Sequence, residues 1–252
     1  MASTHLISIV GAGPGDPELL TVKAMNRLTK ADVVLYDALI SEEVLELAPP
    51  GAIRMYFGKL NNDGQDPQKR QDDIHQQILL WAAKNKRIVR LKSGDPMVYS
   101  RGAEEISFCR THHLNFEVIP GITAAMAGAS IFATPLTRRG NNNMILFYTG
   151  RKNNCSYPQI DSVVNVLQTG SPVVVYMGLS HLGDLAECLQ SHGVDPGIRV
   201  HIMCRISQKG QKIYTTTLGE VDDFLKDNNP ETPSVIMIGK NTGRGREQRA
   251  ES

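Results

Sequence analysis

The sequence has few of the features that mark a secreted, membrane or metal-binding protein. Its four cysteines, Cys109, Cys155, Cys188 and Cys204, lie far apart without a C-x-x-C pair, which argues against a zinc site and a disulfide framework. There is no run of about 18 apolar residues, and residues 1–10 lack a basic start followed by an apolar run. We therefore expect reduced thiols, a cytoplasmic location, no bound metal and no membrane partner.

The chain also lacks a charge imbalance. Lys and Arg number 27 against 26 Asp and Glu, a formal net charge of +1. Such a chain has no net electrostatic attraction to polyanions, so nucleic acid is not an expected partner. An acidic ligand would need a local basic cluster. With 252 residues, of which 41% are hydrophobic, the chain can form one large α/β domain or two lobes, and we favour two.

The first lobe is expected over residues 1–119. Short apolar runs alternate there with stretches of helical spacing, a β-α-β pattern that predicts a mainly parallel sheet covered by helices. Asp16 is expected to cap the first helix, Ser41 a short one, and a third helix is expected before Lys84. The predicted strands cover residues 6–10, 32–36, 53–57, 88–91 and 116–119.

The second lobe is expected over residues 120–240. Strands are predicted at 144–148, 173–177, 200–203 and 235–238, with helices around 163–167 and 182–189. Residues 207–217 are polar and then β-branched, which favours a hairpin and hence a more mixed sheet. Residues 241–252 have no apolar anchor and are expected to be a disordered tail.

The most informative segment is the loop after the first predicted strand, G-A-G-P-G-D-P at residues 11–17. It is similar to the dinucleotide fingerprint G-x-G-x-x-G, which favours a nicotinamide-dependent dehydrogenase as one alternative. However, Pro14 and Pro17 lack the backbone N–H groups that a phosphate cradle needs, and Asp16 stands where the third glycine belongs. The loop therefore favours a ligand without phosphate.

Three more predicted strands end in loops of small or unusual residues, at 93–96, 120–125 and 176–178. A glycine at a strand end usually marks only a turn, so each loop by itself is weak evidence for a binding site. Ligands of open α/β sheets collect at the carboxyl ends of strands, and four such loops together favour a binding site there.

In order and spacing these segments resemble the S-adenosylmethionine-dependent tetrapyrrole methylases over about residues 6–240. The blocks that carry the resemblance are residues 11–17, D-A-L-I-S at 37–41, G-K at 58–59, R-L-K-S-G-D-P at 90–96, R-G-A-E-E at 101–105 and P-G-I-T-A-A at 120–125. The resemblance implies a two-lobed α/β fold with an active site in the cleft, a homodimer, and C-methylation of a tetrapyrrole. The implied reaction converts uroporphyrinogen III to precorrin-2, toward sirohaem or cobalamin.

The resemblance also implies the residues that bind S-adenosyl-L-methionine and its product S-adenosyl-L-homocysteine. A sulfonium ligand is cationic, so backbone carbonyls and a carboxylate such as Asp95 suit it, although Asp95 is as readily explained as a turn residue before Pro96. The implied cofactor residues are Pro14, Ser93, Gly94, Asp95, Val98, Thr123, Ala124, Met177 and Ile206.

Asp37 and Lys59 match the positions proposed in that family as proton acceptor and proton donor. Methylation of a ring carbon requires a proton to leave the macrocycle, and an acid/base pair can catalyse that proton transfer. Without the resemblance, Asp37 is simply the start of a turn and Lys59 a solvated cation.

The carboxylates of a tetrapyrrole require local cations, and Arg101, Arg138 and Arg139 stand in predicted loops where they can supply them. The segment after Lys59, residues 60–66, departs from the family pattern. This keeps open a related methylase acting on a later corrin precursor or another small molecule, and also a cofactor-binding protein without catalysis.

Overall fold

The computed structural model describes residues 6–58, 66–152 and 156–240. The chain divides into two compact units, Met1–Thr123 and Ala124–Ser252. This division lies four residues after the predicted lobe boundary at residue 119. The predicted disordered tail, residues 241–252, lies outside the described residues, as do Cys155 and the unusual segment 60–65.

The N-terminal unit contains a parallel five-stranded sheet in the order β3-β2-β4-β1-β5. The predicted parallel sheet is confirmed, with strand ends shifted by one residue at most. β1, for example, begins and ends one residue later than predicted. The strands are β1 (Ile7–Gly11), β2 (Val33–Tyr36), β3 (Ile53–Tyr56), β4 (Ile88–Lys92) and β5 (Phe116–Ile119).

Helices cover both faces of this sheet. They are α1 (Val22–Leu28), α2 (Glu42–Leu45), α3 (Pro67–Ala83) and α4 (Gly102–Thr111). Leu28 of α1 and Val44 of α2 pack with Val10 and Leu91, whereas Ile78 of α3 packs with Ile9 on the opposite face. The chain thus leaves β1 on one face and β4 on the other, so the boundary between these adjacent strands is the topological switch point where α/β sheets bind ligands.

Asp16 caps a helix with Pro17 at its first position, as predicted, but the expectation that this helix continues through α1 was wrong. Asp16 Oδ1 accepts the N–H of Glu18 at 2.8 Å and caps a single 3₁₀ turn, Pro17–Leu19. α1 begins only after Thr21, whose Oγ1 accepts the N–H of Ala24 at 3.1 Å, because Leu20 is extended and interrupts the helix.

The predicted role of Ser41 is confirmed. Its Oγ accepts the N–H of Val44 at 3.4 Å and caps α2. The same hydroxyl donates to the carbonyl of Gly15 at 2.6 Å, and so connects α2 to the first glycine loop.

The C-terminal unit contains a mixed sheet, as predicted, in the order β6-β7-β10-β8-β9. β6 and β7 are parallel, and the other three pairings are antiparallel, including the predicted hairpin of β8 and β9. β6 begins two residues later than predicted. The strands are β6 (Leu146–Thr149), β7 (Val173–Tyr176), β8 (Arg199–Cys204), β9 (Lys212–Thr217) and β10 (Ser234–Ile238).

The helices of this unit are α5 (Ala124–Ile131), α6 (Ile160–Gln168), α7 (Leu182–Ser191) and α8 (Val221–Asp227). α6 and α7 extend both predicted helices, and their buried residues Val163, Leu167 and Leu185 pack with Val175 of the sheet. In the described part of the chain, no helix combines the length and the apolar character needed to cross a bilayer.

Candidate functional site

The loops that follow β1 and β4 are joined at the switch point of the N-terminal sheet. Gly13 and Gly94 exchange two backbone hydrogen bonds, from Gly13 N to Gly94 O at 3.2 Å and from Gly94 N to Gly13 O at 2.8 Å. Both glycines have a φ of +67°, a left-handed conformation that other residues rarely adopt. This antiparallel bridge lies beyond the last parallel pair of β1 and β4, Gly11 with Lys92, and joins their two loops directly.

A third glycine loop, after β5, packs against these two without intervening side chains. A Cβ on Gly11 would lie 2.5 Å from the nitrogen of Gly121 and 2.7 Å from the oxygen of Gly94. No side chain fits such gaps, because real Cβ atoms do not approach backbone atoms so closely. Three strand ends therefore meet backbone to backbone at the carboxyl edge of the sheet.

Asp95 supports this arrangement from the loop after β4. Its Oδ1 accepts the N–H of Met97 at 2.8 Å and its Oδ2 accepts the N–H of Gly121 at 3.0 Å. Asp95 is thus a turn residue, as the simpler sequence interpretation holds, and it also connects two of the loops. Its predicted contact with a cofactor remains a prediction.

The segment between Asp95 and α4 is a compact loop. Ser100 Oγ donates to the carbonyl of Pro96, which lies so close to Gly102 that a Cβ there would collide with it. Tyr99 and Arg101 both have positive φ, at 52° and 59°. Left-handed backbone at residues other than glycine costs free energy and often occurs at functional sites.

Arg101, a predicted substrate ligand, stands at the start of α4. Its guanidinium pairs with Glu104 at 2.5 Å, and its Nη2 donates to Gln68 Oε1 at 3.1 Å. These partners hold the side chain, which is still 36% exposed. Arg101 is therefore an ordered cation with an accessible surface.

Six predicted cofactor residues lie on the loops of three adjacent strands, β4, β1 and β5. None carries a positive charge and one is a carboxylate, a set suited to a cationic sulfonium and unsuited to a pyrophosphate. A Cβ on Gly94 would be in ordinary van der Waals contact with Thr123 Cα at 3.7 Å, so the loops after β4 and β5 also approach each other here. The residues present therefore fit S-adenosylmethionine, and the six are Pro14, Ser93, Gly94, Asp95, Val98 and Thr123.

The other three predicted cofactor residues belong to the C-terminal unit. Met177 follows β7 with a φ of 54° and is 40% exposed, and the hydroxyl of the preceding Tyr176 accepts the N–H of Ala125 at 3.2 Å. Ile206 is buried against Gly128, one turn along α5 from Ala124. Within this unit the start of α5 and the end of β7 are thus connected. The predicted cleft location of the cofactor remains a prediction.

The predicted proton acceptor, Asp37, follows β2 and contacts two basic residues of β4. Its Oδ1 lies 2.5 Å from Arg90 Nη2, and its Oδ2 lies 3.9 Å from Lys92 Nζ. Asp37 remains 29% exposed, whereas both basic side chains are buried. The predicted proton donor, Lys59, lies outside the described residues.

Arg90, Lys92 and Glu105, for which no role was predicted, form a buried charge cluster. Glu105 Oε1 lies 3.0 Å from Arg90 Nε and 2.7 Å from Lys92 Nζ. Burial and the neighbouring Arg90 lower the pKa of Lys92, whereas the pKa of Glu105 is lowered because these two cations outweigh its burial. A signal was present in the sequence, because two basic residues alternate with apolar ones in a buried strand and therefore require an acidic partner.

Arg138 and Arg139, the other predicted substrate ligands, are exposed in a loop shaped by Asn142. The buried Asn142 accepts the N–H of Arg138 at 2.9 Å and donates to the carbonyl of Leu136 at 2.9 Å. The loop backbone is thus fixed while both guanidinium groups are accessible.

Comparison with known proteins gives one consistent family. The family model of the tetrapyrrole (corrin/porphyrin) methylases matches residues 6–222. A uroporphyrinogen-III C-methyltransferase of Sinorhizobium sp. is 36% identical over 92% of this chain and 82% of its own length. A siroheme synthase of Nitrosomonas europaea is 37% identical over 94% of this chain, and the chain spans only about half of that relative, 49%.

A solved structure is also similar in sequence and in fold. It is a uroporphyrin-III C-methyltransferase from Thermus thermophilus in complex with S-adenosylhomocysteine, with 35% identity and a TM-score of 0.77. The alignment covers 93% of this chain and 97% of that one.

Proposed function

Since the chain belongs to the tetrapyrrole (corrin/porphyrin) methylases, we propose that it transfers methyl groups from S-adenosylmethionine to carbon atoms of a tetrapyrrole. The proposed substrate is uroporphyrinogen III and the proposed product precorrin-2. The observation that carries the proposal is the joined Gly13 and Gly94 loops at the switch point, in a chain 35% identical to a methyltransferase solved with S-adenosylhomocysteine.

Each proposed residue role follows from its chemistry. The glycine loops and their neighbours Pro14, Ser93, Asp95, Val98 and Thr123 would hold the cofactor, together with Ala124, Met177 and Ile206. The bound cofactor supplies an electrophilic methyl group. Asp37 would accept the proton that the ring loses, Lys59 would donate one elsewhere, and Arg101, Arg138 and Arg139 would bind substrate carboxylates.

We further propose that the enzyme works as a homodimer in the cytoplasm, on the route to sirohaem or cobalamin. The family resemblance supports the dimer and the pathway. The widely spaced cysteines support a reducing compartment.

The test is an anaerobic incubation of the purified protein with methyl-labelled S-adenosylmethionine and uroporphyrinogen III. We expect a tetrapyrrole product that carries two methyl groups from the labelled cofactor. Asp37→Asn should reduce turnover by about 10²- to 10⁴-fold, because it removes a general base, while calorimetry should find the same affinity for S-adenosylhomocysteine.

Two results would count against the proposal in different ways. Binding of S-adenosylhomocysteine without methylation of uroporphyrinogen III would overturn the substrate. A folded protein that binds NAD and not S-adenosylhomocysteine would overturn the methyltransferase activity itself.

A further inference from the structure

One face of the N-terminal sheet changes from apolar to ionic along its strands. Ile88, Arg90 and Lys92 alternate along β4 and therefore share the face covered by α3 and α4. Arg90 is in register with Ile9 of β1 and with Leu35 of β2, both fully buried. The charges thus begin where the apolar core ends, just below the carboxyl edge that bears Asp37.

One carboxylate oxygen joins the two cations, and Arg90 connects them to Asp37. Glu105 Oε1 contacts both Arg90, at 3.0 Å, and Lys92, at 2.7 Å, and the far side of the Arg90 guanidinium contacts Asp37 at 2.5 Å. Arg90 Nη1 also donates to the carbonyls of Leu35 and Leu91, both at 3.3 Å. Arg90 is therefore fixed on several sides and presents one edge of its fork to Asp37.

Stability alone does not account for such a cluster. Glu105 has no exposed side-chain surface, and within the described residues its Oε2 is buried without a hydrogen-bond partner. A buried ion cluster is commonly no more stabilising than apolar residues of the same volume, because desolvation offsets the attraction. The arrangement therefore indicates a task for the charges themselves.

The charge count identifies that task. Arg90 and Lys92 carry two positive charges, Glu105 neutralises one, and the cluster becomes neutral only when Asp37 is ionised. We propose that Glu105, Arg90 and Lys92 are positioning residues that hold Asp37 as an oriented carboxylate at the carboxyl edge of the sheet, ready to accept a proton. The catalytic part of this inference rests on the proposed function, in which Asp37 is the proton acceptor.

The charged groups around Asp37 determine how each substitution changes the net charge near its carboxylate. β4 contributes Arg90 and Lys92, and α4 contributes Glu105. Farther out, Gln71 of α3 contacts Glu105 at 3.5 Å and His75 at 3.1 Å, and Asp72, Glu104 and Arg101 act on His75 at longer range. Removing Lys92 leaves the cluster with one excess negative charge, and removing Glu105 as well restores neutrality.

The experiment is a charge-rescue series measured in two ways. The variants are Lys92→Met, the double variant Lys92→Met with Glu105→Gln, and Glu117→Gln as control. Glu117 is a buried, ion-paired carboxylate like Glu105, but it lies in β5 and pairs with Ser8, Lys23 and Arg27. ¹³C NMR follows the Asp37 carboxyl through a pH titration, assigned by its loss in Asp37→Asn, and the assay follows the acidic limb of kcat/KM.

We expect Lys92→Met to move both midpoints upward by about one pH unit, because a nearby positive charge favours the ionised carboxyl. The double variant should return them toward the wild type, and Glu117→Gln should leave them unchanged. If the cluster is purely structural, the double variant should not be rescued, and its midpoints should differ from the wild type at least as much as those of Lys92→Met. Lys92→Gln, which keeps a donor toward Glu105, repeats the test if the methionine variant does not fold.

The NMR titration needs no turnover, so the two proposals fail separately. Absence of the upward shift, or of its rescue, in folded variants overturns the positioning inference even if the wild type methylates uroporphyrinogen III. The shift and rescue without methylation of uroporphyrinogen III support the electrostatic inference and overturn the proposed substrate.

Discussion

The carboxylate of Asp95 joins two loops, because one oxygen accepts the N–H of Gly121 at 3.0 Å and the other that of Met97 at 2.8 Å. The two N–H groups reach different oxygens of the carboxylate, and in an amide one of these positions is an NH₂ group that cannot accept. The loop after β4 and the loop after β5 thus depend on both oxygens of one side chain for their relative position.

Asp95→Asn should therefore leave one backbone N–H unpaired. We expect a loss of about 1–3 kcal/mol in stability and a weaker affinity for S-adenosylhomocysteine, measured by denaturation and calorimetry. Asp195→Asn is the matched control, because Asp195 Oδ1 accepts the N–H of Gly197 at 2.9 Å, a bond that an amide oxygen can also make. Equal loss of affinity in both variants would contradict the role given to Asp95.

Gly11→Ala tests the close approach of the three strand ends. The new methyl carbon would lie 2.5 Å from the nitrogen of Gly121, so the loops must separate at a cost of about 1–3 kcal/mol. Calorimetry with S-adenosylhomocysteine should show at least about tenfold weaker binding, because the glycine loops change shape. Gly51→Ala, where a Cβ meets nothing within 4 Å, should change neither property. If Gly11→Ala binds S-adenosylhomocysteine as tightly as the wild type, the glycine loops do not form the cofactor site.

Arg138→Gln and Arg139→Gln test the substrate side. Each should raise the KM for uroporphyrinogen III by about tenfold, since a charge-assisted bond to a carboxylate is lost, without affecting the affinity for S-adenosylhomocysteine. The control is Arg110→Gln, an exposed arginine in the last turn of α4. If the three variants have the same KM, the predicted substrate contact is wrong.

Glu117 makes stability depend on acid pH. Burial by itself would raise the pKa of Glu117, but hydrogen bonds from Arg27, Lys23 and Ser8 lower it from 4.5 to about 2. A carboxyl with a lowered pKa in the folded state stabilises the protein above its unfolded pKa, and this contribution is lost as the pH falls toward the folded pKa. Between about pH 6 and about pH 3 the wild type should therefore lose about 2 kcal/mol more than Glu117→Gln in urea denaturation. Parallel losses in the two proteins would contradict this account.

The apolar periodicity was sufficient to predict the strands and both sheet types, because alternating and continuous apolar runs directly reflect burial. Periodicity could not predict the strand order β4-β1-β5, because the strands that pair are distant in the chain. The close approach of Gly11 to Gly121 follows only from that order. The helix start was mistaken for a similar reason. Asp16 and Thr21 are both good caps, and only the extended conformation of Leu20 decides that α1 begins at the second.

The charge cluster was predictable in part. Arg90 and Lys92 in a buried strand indicate an acidic partner, but Glu104 and Glu105 are adjacent candidates that only the rotation of α4 distinguishes. In the fold Glu105 faces the sheet and Glu104 pairs with Arg101 near the surface. The roles of Asp37, Lys59 and the cofactor residues came from the family resemblance and remain predictions.

The ion cluster around Glu117 lies on the α1 face near the amino ends of β1 and β5, whereas Glu105 lies on the α4 face near the carboxyl end of β4. Because of this separation, stability and the proposed chemistry can be altered independently. Substitutions in the Glu117 group should change heat tolerance and leave the Asp37 end of the same sheet untouched.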